Sequence, residues 1–418
     1  MRRSVTPLSA AALCTLALLP AGPAHAKKKP RPEPAPVVQE APPSMWKHES
    51  TEPLLGDLKV ERYTLTSNGL TLMLVVDPSS PTFSYHTYYD VGSSDEDEAE
   101  GITGIAHLFE HMMFKRTDQY DDSHFSKTLE EAGTPDLNAW TWLDITAYHA
   151  SLGKEHLPLL VGLESARMDG LVIDEGQLNA EREVVINERR YRVDDDPEGL
   201  IEEQLWALAF TGSRYHWPTI GWRKDLDTIS VEQCNRFYKD YYAPNNARIV
   251  LVGDVDRAAA LKLIEDAYGA IPASTLVRRE HGEEPAQTEA RRVDMEVTAE
   301  SELFTLGYKA PGLSHTDTPA LMVLDAILSA GNSSRLQRKL VDGGLVADVA
   351  TSTPPFQHEA LFGVSATMRA GKAADAALRV VRSEIKDLRD KPVSAMELNR
   401  GRNQLLSYLF DELEGNSG

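Results

Sequence analysis

The chain has 418 residues, 42% hydrophobic and 26% charged. That composition excludes wholesale disorder, a collagen-like repeat and a many-span membrane protein, and leaves room for about two to three domains. With 43 basic and 64 acidic residues the formal net charge is −21, which excludes a general nucleic-acid binder, because the phosphate backbone would repel it.

Arg2 and Arg3, an apolar run over about 10–19 and the small-x-small triplet Ala24-His25-Ala26 predict a signal peptide over 1–26. The run is too short to span a bilayer. Export follows as an expectation, to the periplasm or beyond the cell. The leader would take Cys14 with it and leave Cys234, so no internal disulfide is expected. No later stretch predicts a transmembrane segment. Residues 27–56 hold six prolines by position 43 and read as an extended spacer.

Globular patterning starts near Lys59. Residues 63–66 and 70–76 flank Asn68-Gly69, a strong hairpin turn. A strand is expected over 83–91, helices over 103–116 and 123–133, strands over 136–142 and 144–151, and helices over 154–170 and 175–207. A helix over 230–241, a strand over 248–253 and a helix from Asp256 close a first unit, 57–272. Residues 273–292 are polar and acidic and read as a linker. A second unit, 293–418, repeats the order of the first. Strands are expected over 293–309, helices over 317–330 and 334–342, strands over 346–353 and 359–367, then helices over 372–389 and 394–412. Leu178-Asn179-Ala180-Glu181-Arg182 aligns with Leu398-Asn399-Arg400-Gly401-Arg402 at an offset of 220. In that register the second unit is expected to be truncated.

The chemistry is concentrated in Gly104-Ile105-Ala106-His107-Leu108-Phe109-Glu110-His111-Met112-Met113-Phe114. On a helix His107 and His111 are one turn apart on one face, so both imidazoles reach one metal ion. Glu110 lies beside them, where a carboxylate takes the proton of a metal-bound water; this is an H-x-x-E-H arrangement. Alone, the triplet also fits two satisfied core histidines. A catalytic zinc needs a third protein ligand. Glu181 and Glu188 are candidates, seven residues apart along one helical face. Val184 and Val185 between them suggest that this face meets the core, and a solvated acidic helix is the competing reading.

These residues resemble the M16 zinc metallopeptidases (insulinase, pitrilysin and mitochondrial processing peptidase). His107, Glu110 and His111 match the family's inverted zinc motif, and Glu188 lies 77 residues past His111, where the family places its third ligand. The resemblance makes Glu181 an acid supporting a ligand from behind, and Leu137-Asn138-Ala139-Trp140-Thr141 the edge strand that pairs with substrate, with Asn138, Ala139 and Trp140 binding it. Tyr215–Gly221 and Tyr242–Ala247 are similar to further family segments. The likeness runs from about residue 59 onward. It implies an α+β fold of two similar α/β domains, each an antiparallel-rich sheet packed by helices, with only the first binding zinc, because Glu181 and Glu188 become Gly401 and Tyr408 at the offset of 220.

The implied activity is metalloendopeptidase hydrolysis of extended peptides or unfolded segments, with one Zn2+ on His107, His111 and Glu188 and with Glu110 as general base. The acidic balance suggests basic peptides. The family completes its sites with an Arg and a Tyr from a second half, so the implied partner is a second M16-like subunit or a homodimer that completes the chamber. The competing class is a non-catalytic or partner-dependent subunit. A di-iron carboxylate bundle needs a second Glu-x-x-His, which the spacing of Glu155-His156 does not supply. Asp194-Asp195-Asp196 reads as a solvated turn and not a calcium loop. Most tryptophans and Cys234 read as packing residues.

Overall fold

Around the Asn68-Gly69 turn, Leu65, Leu70, Leu72 and Leu74 are fully buried. Their alternation is that of a strand with one face on a core. The turn works through Gly69, at φ +83°, and through Asn68, whose side chain donates to the carbonyls of Tyr268 and Ile271. The computed structural model describes residues 45–275, 282–353 and 356–412. The signal peptide expected over 1–26 and residues 27–44 of the spacer lie outside the described residues.

The elements of the first unit are β1 (Trp46–Pro53), β2 (Lys59–Leu65), β3 (Thr71–Val76), β4 (Thr82–Tyr89), α1 (Ile105–Met112), α2 (His124–Glu131), β5 (Asn138–Thr141), β6 (Thr146–Gly153), α3 (Leu157–Asp169), α4 (Glu175–Arg189), α5 (Pro197–Ala209), α6 (Arg223–Leu226), α7 (Val231–Tyr241), β7 (Ala247–Gly253) and α8 (Arg257–Tyr268). Seven strands form one sheet in the order β1-β2-β3-β7-β4-β6-β5. β3 and β7 are parallel, and the other neighbours are antiparallel. One face of the sheet and the helices enclose the main core, which includes Phe83, Tyr85, Phe109, Leu160, Ile249 and Leu251.

The second unit holds β8 (Leu303–Ala310), α9 (Thr318–Leu328), β9 (Val346–Ser352), β10 (Ala360–Met368), α10 (Ala374–Asp390) and α11 (Ala395–Glu412). Its sheet runs β8-β10-β9, all antiparallel. This is the β4-β6-β5 arrangement again, with its own core around Phe304, Leu328, Leu340, Phe362 and Val364. A third cluster joins the units: Leu143, Phe210 and Tyr215 pack with Phe356, Ala360 and Leu361. The architecture is thus α+β, two related α/β units, as the sequence implies.

Several expectations need correction. The stretch read as spacer to residue 56 contains β1, which pairs with β2 and is pinned by the Trp46 indole N–H on the Leu261 carbonyl. The helical run 175–207 is two helices separated by a π turn over Arg190–Asp194. Residues 293–302 form no strand. The second predicted helix of the second unit is a π turn, Gln337–Val341. Trp217 is buried while Trp140, Trp142, Trp206 and Trp222 are half-buried. Cys234 is buried on α7. Among the described residues no helix is long and apolar enough to cross a membrane.

Candidate metal centre

Helix α1 is placed by its first turn. Gly104, just before it, has φ +89°, and a Cβ there would lie 2.6 Å from the Ile220 carbonyl oxygen, so only glycine fits without strain. The Glu96 carboxylate, completely buried, accepts the N–H groups of Gly104 and Ala106 at 2.8 and 2.9 Å. It occupies the positive end of the helix dipole. Ile105, Ala106, Leu108, Phe109 and Met112 fill the core, which leaves His107 and His111 on the face toward α4.

On α4 the buried face runs through Leu178, Val185, Ile186 and Arg189. Val185 is fully buried but Val184 is 47% exposed, so the expectation that both valines mark the core is corrected. At about 100° per residue the core face centres near Val185, and Val184, one residue earlier, lies roughly 100° away from it. Glu181 and Glu188 sit at the margin of this face, opposite α1.

The structure brings His107, His111 and Glu188 together: one ligand atom from each lies within 4.8 Å of the others. The Nε2 atoms of His107 and His111 are 3.7 and 3.5 Å from Glu188 Oε2. These separations exceed ordinary hydrogen bonds and lie near the roughly 3.3 Å edge of a tetrahedron with bonds of 2.0–2.1 Å. The donor set, two imidazoles and a carboxylate, therefore fits zinc. Behind it, Glu181 Oε2 is 3.5 Å from His111 Nδ1, and its Oε1 pairs with Lys115 at 2.6 Å. Arg192 reaches the other Glu188 oxygen at 3.0 Å. His107 Nδ1 is buried without a hydrogen-bond partner among the described residues.

Charge at the cluster is uneven. Burial, reinforced by His111, pushes His107 down to about 4, so it is neutral with its lone pair free. Burial also opposes charge on His111, but Glu181 and Glu188 outweigh it and raise His111 to about 9. His111 beside it, helped by His107 and Arg192, pulls Glu188 down to about 2 against the effect of burial. Burial lifts Glu110 to about 6, against the pull of a hydrogen bond from Thr141. That bond, Thr141 Oγ1 to Glu110 Oε2 at 2.5 Å, ties the site helix to β5, the last strand of the sheet. Asn138, Ala139 and Trp140 lie on β5 outside the His–His–Glu cluster. Asn138 is exposed, Ala139 packs toward the core, and Trp140 meets the Tyr88 ring edge-on. The side of β5 away from β6 carries no strand among the described residues.

Sequence reasoning named the cluster but not the groups that hold it. Lys115 and Arg192 each follow a residue of the cluster by four positions, a helical spacing that flags a side-chain pair. Thr141 ends the edge-strand segment, where its residue type alone signals no role. No local signal marks Glu96 as the cap of α1, since its bonds arise only when the loop folds back.

Comparison with known proteins bears on the fold and the family. Residues 72–221 match the family described as insulinase, peptidase family M16, and residues 228–405 match the peptidase M16 inactive domain. The zinc protease PqqE of Helicobacter pylori is 29% identical over 369 residues, covering 86% of this chain and 81% of that protein. A crystal structure of a protease from Helicobacter pylori superposes with a TM-score of 0.82 at 29% identity, over 86% of this chain and 87% of that one. The first half of the periplasmic protease PqqL from Escherichia coli shares the fold, with a TM-score of 0.67 at 22% identity, over 86% of this chain and 78% of that one.

Proposed function

This chain belongs to the M16 peptidase family, and on that premise we propose that it is a zinc-dependent endopeptidase acting on extended peptides or unfolded segments. The observation that carries the reading is the cluster of His107, His111 and Glu188 with Glu110 one residue from His111 on the same helix. His107, His111 and Glu188 hold one Zn2+, and Glu181, backed by Lys115, orients His111. Bound zinc supplies an acidified water and polarises the scissile carbonyl.

Glu110 accepts the proton of the attacking water and returns it to the leaving amine. Its carboxyl, raised to about 6, is poised for both directions near neutral pH. Thr141 fixes Oε2 and leaves Oε1 for the transfer. Asn138, Ala139 and Trp140 offer β5 to a peptide as one more strand, so backbone hydrogen bonds give affinity with little sequence demand. A net charge of −21 favours basic peptides by steering. The leader expected over 1–26 supports work in the periplasm or beyond the cell. A second M16-like subunit or a second copy completes the chamber. The match of 228–405 to an inactive domain supports a second unit without metal chemistry, and it also keeps a partner-dependent subunit as the competing reading.

The test compares the chain with Glu110→Gln, which keeps an acceptor for Thr141. Both bind one zinc per chain, and hydrolysis of a quenched, unstructured peptide falls by about 10²–10⁴-fold in the variant. Zinc in both with cleavage in neither favours the partner-dependent reading. No zinc in the parent overturns the ligand assignment.

A further inference from the structure

β5 is only four residues long and, among the described residues, pairs with β6 alone, so its position depends on its ends. Its C-terminal end runs into the turn Trp142-Leu143-Asp144-Ile145, closed by the Trp142 N–H on the Ile145 carbonyl at 2.9 Å. The carbonyls of Trp142 and Leu143 accept the N–H groups of Ser93 and Ser94 at 3.0 and 2.8 Å. The approach is close: a Cβ on Gly92 would lie 2.4 Å from the Leu143 oxygen.

The turn's carboxylate is a junction. Asp144 accepts the Tyr215 hydroxyl at 2.7 and 2.6 Å to its two oxygens, the Gln357 N–H at 2.8 Å and the Ser94 hydroxyl at 3.3 Å. The Tyr215 oxygen in turn accepts the His358 N–H at 3.2 Å. Beside them Trp142 stacks on Phe356, with centroids 5.9 Å apart and planes at 15°. Gln357, His358 and Phe356 belong to the segment between β9 and β10, so half of this junction comes from the second unit. The first unit's side continues from Ser93 and Ser94 to Glu96, which caps α1. One contact region thus borders both the Thr141 end of β5 and the start of the helix carrying Glu110.

We infer that Asp144 and Tyr215 form a latch through which the second unit's segment 356–358 holds the peptide-binding strand β5 in register with Glu110. The inference rests on the peptidase reading for its kinetic consequence but not for its structural one. The second unit then contributes to the site by fixing the strand that receives the peptide, without touching the metal. Asp144 and Tyr215 are positioning residues.

The experiment uses the full chain and three variants, Asp144→Asn, Tyr215→Phe and Phe356→Ala, the last on the second unit's side. Each is expected to retain bound zinc while the KM for an unstructured peptide rises, by about tenfold in Asp144→Asn and Tyr215→Phe, the scale of one lost charge-assisted hydrogen bond, and kcat changes less. Amide exchange over 138–146 accelerates in all three. The double variant Asp144→Asn with Tyr215→Phe is no worse than the poorer single variant, because both break one junction. Tyr215→Phe keeps the ring packing and decides the matter if Asp144→Asn does not fold. Parental exchange over 138–146 and parental KM in both Tyr215→Phe and Phe356→Ala overturn the latch. If the zinc-loaded parent cleaves nothing, the peptidase reading fails by itself, and the exchange measurement still decides the latch.

Discussion

In the first unit, the helix after β4 turns His107 and His111 toward α4, where Glu181 and Glu188 meet them. In the second unit, the helix after β8 turns Ile327 toward α11, where Gly401 meets it so closely that an added Cβ would lie 2.9 Å from Ile327 Cγ1. Glu181 and Gly401 correspond at the offset of 220, and α4 and α11 begin at Glu175 and Ala395, which is the same offset. One feature is common to both units. Glu110 on α1 accepts the Thr141 hydroxyl of β5, and Asp325 on α9 accepts the Thr351 hydroxyl of β9. A carboxylate bonded to a threonine of the sheet's last strand is therefore common to both units, buried in the first and half-buried in the second. What distinguishes the first unit is the set of side chains around that carboxylate: two imidazoles and the carboxylates of Glu181 and Glu188.

The strongest way to break the comparison is to give α4 the residues of α11. Glu181→Gly with Glu188→Tyr removes one ligand and the group behind another while α1 stays unchanged. Metal content by elemental analysis is expected to fall to background, peptide hydrolysis to fall with it, and the far-ultraviolet circular dichroism to remain that of the parent. Retained stoichiometric zinc would sink the assignment of Glu188. A milder change sharpens the comparison: Glu181→Gln leaves all three ligands in place and is expected to weaken zinc by about 10–100-fold in chelator competition.

A third prediction uses the proton on His111. Glu181 and Glu188 overcome burial and raise His111 to about 9, above the ordinary 6.5. In the metal-free chain its contribution to stability is complete below pH 6.5 and is lost as pH rises through about 9. Zinc needs the deprotonated ring, so uptake at pH 7.5 is expected to expel about one proton. Calorimetry in buffers of different ionisation enthalpy reads that number directly. Glu181→Gln lowers it, and α9 contributes nothing to it, having no histidine. A proton count near zero in the parent would contradict the role given to Glu181.

What the sequence made legible were local repeats of spacing. The His107–Glu110–His111 triplet, the Asn68-Gly69 turn and the offset of 220 are each visible within a short window, and each has a structural counterpart. β1 was illegible because Lys47-His48-Glu49-Ser50-Thr51-Glu52 carries no apolar alternation; an edge strand whose one buried residue is Trp46 is specified mainly by its ladder to β2. Residues 293–302 erred the other way: Val293, Met295 and Val297 alternate but pair with no strand among the described residues, Val293 staying exposed and the other two half-buried. The break between α4 and α5 depends on Arg189, which binds Glu203 at 2.7 Å and the Gly221 carbonyl at 2.9 Å. Those partners are distant enough in sequence that periodicity cannot register them. The same holds for Thr141 on Glu110, Glu96 on α1 and Asp144 on Gln357.

The smallest expected effect isolates the shared scaffold from the chemistry. Burial raises Asp325 to about 6 against the hydrogen bond from Thr351. An acid whose folded-state pKa stands above its ordinary 3.8 favours the folded state fully below pH 3.8, and that advantage is lost as pH rises through 6. Asp325→Asn keeps an acceptor for Thr351 and cannot ionise. It is therefore expected to leave zinc binding and peptide cleavage at parental values, and to gain stability relative to the parent as pH is taken from 5 to 8, by about 1 kcal/mol or less. The measurement is a pair of denaturant titrations at those two pH values. A difference that stays flat across that range would show that Asp325 is not held as a buried acid. A loss of cleavage would place the second unit's carboxylate in the chemistry and erase the division between the units.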